Sequence, residues 1–218
     1  MKQVRRFPET DLYCITASRF SLGRPNVDVV RQMLEAGIKV IQYREKEFPM
    51  NEKYRECLEI RQLTARYGAT FIINDDVHLA LAVGADGVHI GQDDLPPERV
   101  RQLIGDKMVL GLSTHEPEQA DAAVKSGVVD YIGVGPLYQT FTKKDVRPPV
   151  GLGYLDYVVK KHRIPFVAIG GIKEKNVADV ARHGAGCICL VTEIVGATDI
   201  VGKIRAVRER IAGVKRAG

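Results

Sequence analysis

The stretch "EAGIKVIQ" (residues 35–42) decides the fold. It closes a segment of helical spacing at Gly37 and passes, after one tight turn, into apolar and β-branched residues. A glycine just past the last helical residue can take the left-handed conformation that stops a helix. A short unbroken apolar run suits a strand covered on both faces. The same design returns in "AVGADGVHI" (82–90), "KSGVVDYIGV" (125–134) and "RHGAGCICL" (182–190). One helix–turn–strand unit is repeated along the chain.

Working outward, eight runs of strand type can be marked: "LYCIT" (12–16), "KVIQYRE" (39–45), "TFIIND" (70–75), "GVHIG" (87–91), "MVLGLST" (108–114), "YIGVGP" (131–136), "PFVAIGG" (165–171) and "CICLVT" (187–192). The segments between them carry apolar residues at spacings of three and four. "VDVVRQMLEAG" (27–37), "NEKYRECLEIRQLTARYG" (51–68), "PPERVRQLIG" (96–105) and "DIVGKIRAVRERIAG" (199–213) are clear cases. Strands alternating with helices imply a parallel sheet. Eight such units without a break predict a closed, single-domain (β/α)8 TIM barrel over residues 1–218, the barrel proper running from about residue 10 to 212.

The bulk numbers agree with this. A chain of 218 residues suits one such barrel. With 45% apolar and 27% charged residues and a mean hydropathy of −0.11, it has the composition of a soluble globular protein. The net charge of +5 suits anionic small molecules. With no tryptophan and no basic run interleaved with aromatics, nucleic acid is not an expected partner. The cysteines Cys14, Cys57, Cys187 and Cys189 lack C-x-x-C spacing, which argues against zinc and for a reducing compartment. "MKQVRRFPETD" (1–11) has no apolar stretch behind its arginines, and no run is long enough to span a membrane. A cytoplasmic, soluble protein is expected; its oligomeric state is not readable, and a homo-oligomer is compatible with everything above.

Barrels of this kind do their chemistry on the loops at the C-terminal ends of the strands. "INDDVHLALAVGADGVHIGQDD" (73–94) puts two aspartate doublets on that rim. Asp76 and Asp93 are open to two readings, since carboxylates also favour helix starts. A cap needs only one carboxylate, however, and Asp75 and Asp94 close neighbouring strands, so they can converge on a hard cation such as Mg²⁺. In "QYREK" (42–46), alternation puts Gln42, Arg44 and Lys46 on one face, the lumen. Inward cations are costly unless an anion meets them. That anion is either the aspartates, in internal salt bridges, or a diphosphate. "GPLYQTFTKKD" (135–145) offers Thr140, Thr142 and Lys143, on a binding loop or a merely solvated one. "AIGGI" (168–172) and "LVTEI" (190–194) close strands seven and eight, where Gly170, Gly171 and Thr192 suit a phosphate. No serine–histidine–acid set, Schiff-base lysine or Rossmann glycine pattern is evident. The rim thus reads as a site for two phosphorylated substrates and group transfer between them.

Taken together, "QYREK", "INDD", "GVHIGQDDL", "GLSTH", "DYIGVGPLYQTFTKKD", "PFVAIGGI" and "CICLVTEI" resemble, in order and over nearly the whole chain, the thiamine phosphate synthase family. The resemblance implies an enzyme that joins 4-amino-5-hydroxymethyl-2-methylpyrimidine diphosphate to 4-methyl-5-(2-phosphoethyl)thiazole, giving thiamine phosphate and pyrophosphate. It further implies that the segment Gln42, Tyr43, Arg44, Glu45, Lys46, with Asn74 and Ser113, binds the pyrimidine diphosphate. Asp75 and Asp94 match the Mg²⁺ ligands. Thr140 and Thr142 match the thiazole phosphate loop and Lys143 a residue returning to the diphosphate; Gly171, Val191 and Thr192 match the thiazole phosphate cradle. Arg44, Lys46, Ser113 and Lys143 would carry the catalysis. Thr192 departs from the family's usual serine but keeps the hydroxyl. Two rivals share the fold: a thiazole tautomerase, for which "STH" supplies His115, and a non-catalytic barrel that senses thiamine intermediates. His115 also reads simply as a helix-start residue bonded to a loop.

Overall fold

The computed structural model describes residues 6–142 and 148–216. The apolar runs form strands β1 (Leu12–Ile15), β2 (Val40–Tyr43), β3 (Thr70–Asn74), β4 (Gly87–Ile90), β5 (Val109–Thr114), β6 (Tyr131–Val134), β7 (Phe166–Ile169) and β8 (Ile188–Cys189). Each pairs in parallel with its sequence neighbour, and β8 pairs with β1, so the sheet closes as the sequence predicts. The covering helices are α1 (Asn26–Glu35), α2 (Met50–Arg66), α3 (Val77–Val83), α4 (Pro97–Ile104), α5 (Pro117–Ser126), α6 (Gly151–Lys161), α7 (Val177–Arg182), α8 (Val191–Val195) and α9 (Ile200–Arg216). Gly37, at φ +77°, and Gly84, at φ +62°, make the left-handed turns that let α1 and α3 stop and the next strands begin.

The regular alternation fails at one place. "CICLVT" is not a six-residue strand: β8 has two residues, and Val191 and Thr192 already belong to α8, which precedes α9. Val191 and Thr192 are β-branched and read locally as strand, but Ile194 and Val195 are fully buried, and burying that face requires a helical turn.

Alternation along each strand divides the core in two. One set, including Leu12, Ile41, Tyr43, Phe71 and Val88, packs outward against the helices. The other, Tyr13, Ile15, Val40, Ile72, Val109, Tyr131, Val167, Cys187 and Cys189, fills the lumen. Phe7 stacks on Tyr131 with centroids 4.2 Å apart. All four cysteines are free and buried, and burial pushes the Cys187 thiol up to about 12. They behave as small hydrophobes.

Beside the N-terminal ends of the strands an Asp–Arg clasp recurs. Asp86 accepts from the Phe71 amide (2.9 Å) and from Arg61 (3.0 Å). Asp130 accepts from the Leu110 amide (2.7 Å) and Arg101 (2.6 Å). Asp11 accepts from the Leu12 amide (2.8 Å) and Arg208 (2.7 Å). Each clasp ties a helix to a strand away from the rim. Asp86 is 4% exposed. Asp86→Ala leaves a buried amide and a guanidinium without this acceptor, and urea melts will show a loss of about 3 kcal/mol.

Candidate active site

At the C-terminal rim the loops enclose two adjoining cavities. The first has a volume of about 390 Å³ and reaches down into the lumen among Gln42, Asn74, His89 and Ser113. Thr140, Thr142, Gly171, Val191 and Thr192 line its outer side. Glu45, Lys46, Asp75, Asp93 and Asp94 line the second. Arg44, Asn74, His89, Ser113, His115 and Thr142 border both.

β2 delivers the "QYREK" residues to different places. Gln42 is buried in the lumen and donates to the Tyr13 hydroxyl (2.8 Å). Past the strand end, the Thr16 hydroxyl accepts from the Arg44 amide (2.8 Å) and fixes the backbone there. Burial lowers the affinity of Arg44 for its proton, against the pull of Asp75 and Glu45. Among the described residues no carboxylate pairs directly with its guanidinium. Lys46 lies further out, on the mouth rather than in the lumen, and its ammonium pairs with Asp75. One of the internal salt bridges allowed by the sequence is therefore made, and Arg44 stands outside it. Tyr43 falls on the opposite face, as alternation requires. It lines neither cavity, and its hydroxyl donates to Glu56 (2.7 Å). Glu45 borders the second cavity but is committed to the Ser18 amide and hydroxyl (2.8 Å each) and to Asn26 (2.9 Å).

The aspartates separate by role. Asp76 occupies the N-cap position of α3 but makes no side-chain cap; it holds Lys53, whose ammonium is 2.9 Å away. Asp75 sits at φ +60°, a left-handed conformation that aspartate tolerates better than most residues. Its amide still bonds to the His89 carbonyl of β4 (2.9 Å). Asp94 receives the Gly91 amide (2.7 Å). Burial pushes the Asp94 carboxyl above its ordinary range, and the adjacent Asp75 carboxylate adds to the shift, against the Gly91 amide and Lys46. Two carboxylates thus converge, and the charge on Asp75 disfavours that on Asp94, an arrangement that a cation relieves. Among the described residues no cluster of three His, Cys, Asp or Glu gathers. The pair fits a hard cation that takes its other ligands from water or phosphate oxygens, as Mg²⁺ does.

The glycine doublet after β7 serves the loop after β6 as well as the cavity. A Cβ on Gly170 would lie 2.4 Å from Pro136, and one on Gly171 would lie 2.5 Å from the Gln139 carbonyl. The Tyr138 amide bonds to the Gly170 carbonyl (2.9 Å), so this contact sets the height of Thr140 and Thr142. Their hydroxyls are 3.1 Å apart and both face the first cavity. Lys143 lies outside the described residues. His115 bonds through Nδ1 to the Gly135 carbonyl (2.5 Å), as its reading as a loop-bonded residue predicts.

A polar chain that the pattern of apolar runs does not reveal crosses the lumen floor. Gln42 donates to Tyr13, whose hydroxyl is 2.9 Å from that of Tyr131. The Tyr131 hydroxyl is 2.9 Å from His89 Nδ1, and His89 Nε2 is 2.9 Å from the Ser113 hydroxyl. Gly111 makes room for it, since a Cβ there would lie 2.2 Å from the Tyr131 ring. Tyr13, His89 and Tyr131 sit inside apolar runs; the signal available was their even spacing from Gln42 and Ser113 through the strand register.

A closed barrel whose rim joins a carboxylate-lined mouth to a hydroxyl- and glycine-lined pocket defines a (β/α)8-barrel transferase for small phosphorylated molecules. The comparisons with known proteins carry this to a family. The family model described as thiamine monophosphate synthase matches residues 12–194. The chain is 66% identical to a thiamine-phosphate synthase of Pelotomaculum thermopropionicum, over 94% of this chain and 93% of that one. It is 50% identical to the thiamine-phosphate synthase of Caldicellulosiruptor saccharolyticus, over 99% and 97%. The solved thiamine phosphate pyrophosphorylase from Pyrococcus furiosus superposes with a TM-score of 0.84 at 36% identity, covering 94% and 96%. The chain belongs to the thiamine monophosphate synthase family.

Proposed function

We propose that the two cavities hold the two halves of thiamine phosphate during their joining, in the assignment that follows. The chain is a transferase, a thiamine-phosphate synthase: it condenses the pyrimidine diphosphate with the thiazole phosphate and releases pyrophosphate. The observation that carries the assignment is the division of the rim. The mouth brings together Arg44, Lys46, Asp75 and Asp94, and the pocket brings together Thr140, Thr142, Gly171 and Thr192. Asn74 and Ser113 border both, where the reacting atoms must meet.

In this reading Asp75 and Asp94 would hold Mg²⁺, which when bound would supply positive charge toward the pyrophosphate leaving group. Arg44 and Lys46 add fixed positive charge on the same side and need no reorganisation as the C–O bond breaks. Gln42, fixed by Tyr13, keeps its amide oxygen for the pyrimidine ring, and Ser113, held by His89, faces the same floor. The leaving group takes the electron pair of the C–O bond. The thiazole nitrogen, positioned through its phosphate, supplies the pair for the new C–N bond. Orientation does the remaining work, and no protein nucleophile is needed. Lys143 is assigned to the diphosphate on the strength of its motif alone. Among the described residues no helix is long and apolar enough to cross a membrane. A cytoplasmic location, and any assembly into a homo-oligomer, belong to the same reading.

The test measures pyrophosphate with each substrate alone and with both, in the presence of Mg²⁺. One pyrophosphate per thiamine phosphate, only when both substrates are supplied, is expected. Turnover of the thiazole without pyrophosphate, or binding without turnover, would replace the reading with the tautomerase or the sensor.

A further inference from the structure

Resting on the reading of the first cavity as a thiazole phosphate pocket, we infer that Lys173 is a further anchor for that phosphate, one that acts both by charge and by aiming the Thr192 hydroxyl. Lys173 follows the glycine doublet after β7 and lines the first cavity alone, beside Gly171 and Thr192. Its ammonium donates to the Thr192 hydroxyl (3.0 Å) and lies 3.3 Å from a Glu193 oxygen. An ammonium has three donors. Two are engaged, and the third is left for the pocket.

The surrounding charges do not tie Lys173 to Glu193 exclusively. Glu174 is held by Lys203 (2.8 Å) and by Arg210 (3.6 Å). Glu193 also lies 3.7 Å from Lys203 and receives the Glu174 amide (3.2 Å). Three cations therefore serve two carboxylates, and both carboxylates have a cation besides Lys173. Of the three, Lys173 is the one that borders the cavity.

Thr192 gains from the same contact. A hydroxyl that accepts from an ammonium keeps its own hydrogen to give away. With Lys173 on one side, that hydrogen is free to point to a phosphate oxygen. The pair offers a dianionic phosphate one charge-assisted bond and one oriented hydroxyl. It offers nothing comparable to an uncharged alcohol, so Lys173 is also a determinant of phosphate over alcohol.

The test compares wild type, Lys173→Gln, Lys173→Arg and Glu193→Gln. Calorimetry reads binding of the thiazole phosphate and its unphosphorylated alcohol, and steady-state kinetics read turnover. Lys173→Gln is expected to raise Kd and KM for the thiazole phosphate about tenfold, a modest value because the ammonium is partly solvated. Binding of the alcohol, kcat and KM for the pyrimidine diphosphate should move less than about twofold, since one donor to a remote phosphate is uniform binding. Lys173→Arg should restore part of the affinity. Glu193→Gln keeps the ammonium in the pocket and should not reproduce the loss. An unchanged preference for phosphate over alcohol in Lys173→Gln, or an equal loss in Glu193→Gln, would overturn the inference. The synthase reading fails separately, if the wild type binds the phosphate in preference to the alcohol yet makes no thiamine phosphate.

Discussion

Asp75→Ala and Asp94→Ala will each lower kcat by about a hundredfold or more at every Mg²⁺ concentration, on the scale of losing one fixed electrostatic stabiliser of a leaving group. The expectation follows from the geometry of the mouth. Asp94 is pushed above its ordinary range by burial and by Asp75, and Lys46 and the Gly91 amide offset only part of this, so a bound cation relieves what is left. Deleting either carboxylate relieves the repulsion and, in the proposed assignment, removes one of the two protein ligands of the cation. Thermal stability should hold or rise while turnover falls, the usual signature of a site kept at the expense of folding. The Lys46–Asp75 pair sharpens the comparison, because Asp75→Ala also frees an ammonium to meet the diphosphate, whereas Asp94→Ala does not. Asp75→Ala should therefore keep more affinity for the pyrimidine diphosphate than Asp94→Ala. Direct titration of the protein with Mn²⁺ and pyrophosphate, followed by the relaxation of bulk water, gives a readout that does not depend on turnover. Full turnover and undiminished Mn²⁺ binding in both variants would remove the carboxylates from the metal assignment.

The barrel could be read from the sequence because its punctuation is chemical. Gly37 and Gly84 stop helices in a conformation that glycine takes at little cost, and the runs that follow are apolar on both faces. The rim could be read from charge: Arg44, Lys46, Asp75 and Asp94 are poor choices for a strand end unless something meets them. What escaped the reading depends on register. Tyr13, His89 and Tyr131 look like members of apolar strands, and their hydroxyl and ring nitrogens acquire meaning only when the closed sheet sets them against Ser113 and Gln42. Tyr43 shows the converse, since a motif read as a block would place it in the site, but one step of alternation turns it outward to Glu56. Lys173 was invisible for a third reason. Its setting depends on Glu174 and Glu193, whose two other cationic partners, Lys203 and Arg210, come from α9, far along the chain from β7.

Arg44→Ala should produce effects of opposite sign on folding and on catalysis. The guanidinium is more than half buried, burial lowers its hold on its proton, and among the described residues no carboxylate pairs with it directly. A desolvated cation of this kind opposes folding, because Coulomb attraction from Asp75 and Glu45 at longer range does not restore what water supplied. Its removal should leave the melting temperature level or raise it by a few degrees. The same desolvation suits Arg44 to an anion, and it borders both cavities; in the proposed assignment it follows charge from the intact diphosphate to the departing pyrophosphate. Losing one buried charged partner of a bound anion costs about 2–5 kcal/mol, which predicts a fall in kcat/KM of roughly thirtyfold to a few thousandfold. Arg44→Lys should recover little, since a single ammonium cannot reproduce a planar fork of donors fixed by the Thr16 clamp on its backbone. Lys46→Ala, at an exposed position already paired with Asp75, should cost less than Arg44→Ala. The decisive measurement sets melting temperature against kcat/KM for the three variants. A loss of stability in Arg44→Ala that matches its loss of activity would mean that Arg44 holds the loop together and does not meet the substrate.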